Sequence, residues 1–150
     1  MKILFASLLI FVSLQNISLA QRTFISPGIK LGYQFGQDGG FTFGMEMSLT
    51  FWEREGLIYG IVVAVDGFRG KYDYHLGLEV ATLAMGIEIG PTISGRYDYD
   101  QGFSATVYSG FILYPYYRYT YMKKNPNQHQ IGTFIKVPIQ VDGERFSIVG

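Results

Sequence analysis

Three side chains in this sequence carry acid–base or metal-ligating chemistry at a regular spacing. Asp73, His75 and Glu79 stand at i, i+2 and i+6. On an extended strand that spacing puts all three on one face. An imidazole between two carboxylates offers a metal site, or the acid–base half of a hydrolase with Ser48 or Ser94 as nucleophile. Extension also separates them: at ~3.3 Å per residue, Asp73 and Glu79 lie about 20 Å apart. They cannot hold one ion, and His75 reads as a polar member of a paired-charge network. His129, the second histidine, ends the longest polar run, Lys123 to His129, which reads as a loop. No serine occurs from Lys123 through Val141, so lipid-modifying chemistry around His129 lacks a nucleophile there. Asp98 and Asp100, flanking Tyr99, read as a polar turn in preference to a weak calcium loop. Gly32, Gly36, Gly39, Gly40 and Gly44 form no phosphate cradle, because no helical pattern follows them. Without cysteine the chain has no disulfide framework, zinc–thiolate site or thiol nucleophile. No catalytic residue, metal site or cofactor is assigned, and the protein is expected not to be an enzyme.

The elements that must position these groups follow from composition and pattern. The chain has 150 residues, one domain's worth. Twelve Lys and Arg balance 12 Asp and Glu, so the basic stripe of a nucleic-acid binder is missing. Charged residues make up only 16%, against roughly 25% in an ordinary soluble domain. Glycine is abundant, at 19 residues, alongside 12 Phe, 12 Tyr and one Trp. Met1-Lys2 opens a short positive start, Ile3 to Leu14 is apolar, and Ser18-Leu19-Ala20 places small residues before Gln21. This is the pattern of a cleaved signal peptide over 1–20, too short to span a bilayer, with 21–150 as the exported domain.

That domain alternates almost from end to end, the mark of two-faced strands. From Phe41 to Phe51 every odd position is large and apolar and every even one small or polar. Similar segments run through 28–36, 57–66, 71–81, 85–96, 103–113, 117–121 and 131–139. Turn chemistry punctuates them at Gln37 to Gly40, Arg54 to Gly56, Phe68 to Gly70 and Asp98 to Gly102. Pro115 marks an expected turn between the sixth and seventh strands. The boundary at Ala81–Ala84 has no glycine, proline or Asx residue. About eight antiparallel strands with short connections make an all-β, up-and-down barrel, and a sandwich would need longer crossovers.

The two faces decide which way the barrel is turned. One face is aromatic and aliphatic; the other holds glycine, Ala, Ser, Thr and nearly balanced charge. A solvent-facing surface would be thick with Lys and Glu, whereas a crowded eight-stranded lumen needs small residues and paired charges. The small face is therefore the inside. Its charge network is Lys30, Glu46, Asp66, Asp73, Glu79, Glu88, Arg96, Arg118 and Lys136. Aromatics gather near strand ends, and Trp52, Tyr59, Tyr72, Tyr74, Tyr97, Tyr117, Tyr119 and Tyr121 fit interfacial girdles.

Over Thr23–Val141 the chain resembles the small eight-stranded outer-membrane β-barrels, a resemblance of pattern carried by the signal peptide, the alternation and the aromatic clusters. It departs from them in ending Phe146-Ser-Ile-Val-Gly150, without a terminal aromatic, and in its short loops. The resemblance implies a transmembrane barrel in the outer membrane of a Gram-negative-type bacterium. Its expected role is structural or surface-interacting, with a filled lumen that is not a conducting pore. The expected partner is the lipid bilayer, with Lys123, Lys124 and Arg69 as candidate contacts to lipopolysaccharide phosphates. One alternative is a secreted or periplasmic lipocalin-like binder of a hydrophobic ligand, although the G-x-W feature is missing and Trp52 follows Phe51 instead. The other is an outer-membrane lipid-modifying enzyme.

Overall fold

Alternating large and small residues leave each strand one face to bury and one to expose, and antiparallel pairing of neighbours is the shortest way to satisfy both. The computed structural model describes residues 22–148 except 37–38, 54–55, 96–97, 111 and 143–144, with side chains as far as residue 141. The expected export signal lies outside these residues, as do Arg96 and Tyr97. Eight strands follow in order: β1 (Arg22–Phe35), β2 (Gly40–Trp52), β3 (Ile58–Phe68), β4 (Lys71–Ala81), β5 (Met85–Ser94), β6 (Asp100–Ser109), β7 (Leu113–Met122) and β8 (Gln128–Lys136). Each pairs antiparallel with the next, and β1 pairs with β8 from Gly28↔Lys136 to Phe35↔His129, closing the ring. The fold is an eight-stranded, closed, up-and-down β-barrel.

Register fixes the barrel's shape. Stepping across partners from Ile25 through Leu49, Ile61, Leu78, Ile89, Ala105, Tyr119 and His129 leads back to β1 at Phe35, ten residues along. A stagger of that size over eight strands corresponds to strands tilted by about 40° from the axis. Two interior tyrosines fit only because the strand opposite has a glycine. Tyr116 pairs with Gly132, where a Cβ would come 2.8 Å from the tyrosine ring; Tyr108 pairs with Gly86, where a Cβ would come still closer.

Small differences from the sequence pattern have local causes. The first strand begins at Arg22, six residues earlier than the alternation from Gly28 suggests, because β2 is long enough to pair with all of it. Pro115 does not make a turn. It sits inside β7 facing outward, while the chain reverses ahead of Leu113, after Gly110 with φ 142°. After a break at Val137-Pro138, β9 (Ile139–Asp142) continues along β1 in the register of β8, and β10 (Arg145–Ile148) folds back on β9. The last segment thus adds a short hairpin to the seam.

The faces are sharply divided. Lys30, Asp66 and Arg118 point inward and are each 1% exposed, whereas outward Leu78 and Met45 are each 63% exposed. Ile29, Leu31, Val63 and Ile87 share that outer face, and all are more than half exposed.

Candidate functional site in the barrel interior

Buried charges are tolerable only when paired and hydrogen-bonded, and the inward parity of each strand delivers one partner at a time. Glu88 of β5 lies 3.6 Å from Arg118 of β7. Arg118 donates to Asp66 of β3 at 2.7 Å and, through Nε, to Thr106 at 2.7 Å. Asp66 is 3.5 Å from Lys30 of β1, which is 3.2 Å from Glu46 of β2. Glu46 and Glu79 of β4 both receive Lys136 of β8, at 2.7 and 2.8 Å. The Tyr108 hydroxyl of β6 donates to Glu79 Oε1 and completes the line. One continuous chain of contacts takes one residue from every strand of the barrel.

Seven of the nine network residues expected from sequence therefore meet in this chain. Asp73, the cross-strand partner of Asp66, accepts a 2.6 Å hydrogen bond from Ser94. Arg96 lies outside the described residues. The Asp73, His75 and Glu79 spacing does not form one site, because each residue engages a different group. His75 places Nε2 3.2 Å from Asp66 and Nδ1 2.8 Å from Thr92, which donates to Ser104 at 2.9 Å. That hydroxyl–imidazole–carboxylate order resembles a hydrolytic relay, but Thr92 is 2% exposed and its hydroxyl is engaged by His75 and Ser104. Ser48, the other candidate nucleophile, is equally buried and turns toward the Ser26 carbonyl. Among the described residues no group of three or more His, Cys, Asp or Glu is arranged to hold a metal ion.

Call the end where β1 begins the terminal end, and the end bearing residues 123–127 the loop end. Tyr72 and Tyr74 of β4, and Tyr117 and Tyr121 of β7, are exposed outward toward the loop end. Half-buried Tyr119 packs its ring 5.1 Å from that of His129. Tyr59, half-buried, lies toward the terminal end with its ring 5.8 Å from that of Phe51. Trp52 is also at the terminal end but turns inward, its ring 4.5 Å from Phe24. It lines the mouth of the lumen instead of the outer girdle.

His129 is not in a loop. β8 starts at Gln128 and places His129 on the outer wall, hydrogen-bonded through Nδ1 to the Tyr117 hydroxyl at 2.7 Å. Asn127 Nδ2 donates to the Tyr119 hydroxyl at 2.7 Å beside it. The apolar outer face thus has a polar cluster close to its loop-end rim. Asp100 is likewise not in a turn but opens β6. It is buried and accepts from the Lys124 and Asn125 backbone amides at 3.0 and 3.1 Å and from Asn125 Nδ2 at 2.8 Å. Asp98 stands exposed in a turn with φ 48°.

Sequence reasoning did not find the cavity at the terminal end. It has a volume of about 360 Å³ and is walled by Trp52, Ile58, Ala81, Tyr108 and Tyr114, with Glu79 and Lys136 also on its surface. Tyr114 stacks on Phe134 at 5.0 Å, and Lys136 lies 5.1 Å above the Phe134 ring. The signal was present in the inward parity of Trp52, Tyr108 and Tyr114, but only register brings those three strand ends together.

No family model matches the chain, and no curated protein matches it. Among solved structures it is similar to a de novo designed transmembrane β-barrel, with a TM-score of 0.43 and 12% identity over 76% of this chain and 95% of that one.

Proposed function

We propose that this protein is an integral β-barrel of a bacterial outer membrane, with a structural or surface-interaction role. The observation that carries this reading is the inverted barrel: a continuous outward apolar face around an interior of paired charge. In water such a surface is an association liability far beyond the few hundred Å² that monomers expose. Against lipid it is the favourable arrangement, with strands of nine residues or more long enough to cross and no open edge around the ring. Interior charges from seven strands, interlocked with a tyrosine hydroxyl from the eighth, support a filled lumen and a role other than conduction. A lipocalin-like carrier would need its apolar lining inside, which these faces oppose.

The test is a single substitution at the middle of β4 on the outer face, Leu76→Arg. In a bilayer it should destabilise the folded barrel by about 2–4 kcal/mol. On a water-exposed surface the same change falls within roughly 0.5 kcal/mol of neutral. Urea titration in lipid vesicles, followed by heat-dependent gel mobility, measures the difference. The expressed chain should also remain in a carbonate-washed membrane pellet; recovery in the soluble fraction would overturn the proposal.

A further inference from the structure

The terminal-end cavity combines features that ordinary lumen packing does not require. Its volume, about 360 Å³, is in the range of small-molecule sites. Its walls are largely aromatic and aliphatic, through Trp52, Ile58, Tyr108 and Tyr114. Glu79, 4% exposed, contributes to its surface, and one of its carboxylate oxygens is already engaged by Tyr108 and Lys136. The other, Oε2, has no hydrogen-bond partner among the described residues. Glu79 shares the ammonium of Lys136 with Glu46, which also meets Lys30, and the contact line as a whole sets the four carboxylates of Glu46, Asp66, Glu79 and Glu88 against the three cations Lys30, Arg118 and Lys136. An unsatisfied acceptor, an excess of negative charge and the aromatic side chains of Trp52, Tyr108 and Tyr114 favour the same kind of guest. Aromatic faces attract cations, and a carboxylate with a free lone pair takes an N–H donor.

We propose that this cavity binds a small amphipathic cation: an apolar or aromatic body carrying a protonated amine, with the body against Trp52 and Tyr114 and the ammonium donating to Glu79. A carboxylate guest is disfavoured because Lys136 already serves two acids. The site lies inside the barrel, so the proposal is independent of where the protein resides. A chain that failed the carbonate test could still bind, and a membrane-embedded one could still fail to.

Trp52, the single tryptophan of the chain, lines the cavity and reports on it directly. The purified, folded full chain in zwitterionic lipid nanodiscs is titrated with 2-phenylethylamine, with 2-phenylethanol and 3-phenylpropanoate as neutral and anionic counterparts and empty nanodiscs as blank. The expected result is a saturable change in Trp52 emission with the amine, at least tenfold weaker with the other two. Glu79→Gln keeps an acceptor for Tyr108 but removes the charge, and should weaken amine binding at least tenfold. Thr50→Leu narrows the cavity from β2, two residues from Trp52, without replacing any ion-pair residue, and should abolish saturation; its folding is checked by heat-dependent gel mobility. Equal binding of all three compounds, undiminished binding in Glu79→Gln, or a linear response to the amine in the wild-type chain would each overturn the proposal.

Discussion

Asp66 meets Lys30, His75 and Arg118 at once while 1% exposed, so it is the residue whose loss leaves the most charge uncompensated. Asp66→Leu should cost about 3–5 kcal/mol, the range for breaking a buried ion pair from one side. Glu46→Leu leaves Lys30 to Asp66 alone and Lys136 to Glu79 alone, and should lower thermal stability in the same direction. Both effects are measured as the temperature at which the folded gel band disappears, and unchanged melting in both would refute the account of the interior. Gly132→Ala tests packing instead of charge. Its Cβ would come 2.2 Å from the Leu31 carbonyl and 2.8 Å from the Tyr116 ring, a clash with backbone that no rotamer relieves. Overpacking of this kind costs at least 1–3 kcal/mol. Parity alone made most of these residues legible, since Lys30, Glu46, Asp66 and Arg118 stand on the small-residue side of their strands. Who pairs with whom was not legible, because Asp66 and Arg118 are 52 residues apart and meet only across the lumen. His129 was misplaced for a simpler reason: a polar run continues into a strand when its last residues can pair with β1.

At the level of elements, the hairpins show two ways to reverse a chain. Between β3 and β4, Arg69 and Gly70 take φ 46° and 78°, the paired left-handed geometry whose twist suits a two-residue β-turn. Between β4 and β5 no glycine, proline or Asx residue is present. Thr82 supplies the turn: its backbone amide donates to the Met85 carbonyl at 2.8 Å, and its hydroxyl contacts the Ala84 and Met85 amides at 3.4 and 3.3 Å. Hydroxyl turns are weaker sequence signals than Asx-Gly pairs, which is why this boundary was indistinct. Thr82→Val keeps the shape and removes the oxygen, and should cost about 0.5–1.5 kcal/mol. Equilibrium unfolding in urea reads this out, and Thr82→Ser should restore most of the loss. Pro115 misled in the opposite sense. Proline is tolerated at a strand position whose amide needs no ladder partner, and pairing of β7 with β6 starts only at Tyr116.

Over the whole molecule, the contact chain from Glu88 to Tyr108 makes each strand an electrostatic partner of strands it does not touch through the backbone. Loss of any strand would expose unpaired charge in the rest, so unfolding is expected in one step, with gel mobility and Trp52 emission changing at the same denaturant concentration. The ring has a further consequence. Gln140 lies opposite Phe24, so Asp142 and Arg22 are within a short span of each other at the terminal end. A linker of a few residues could join them, and the chain could be reopened in the 123–127 loop without removing a paired residue. Such a circularly permuted protein should assemble the same barrel, because closure depends on which strands are neighbours and not on which is synthesised first.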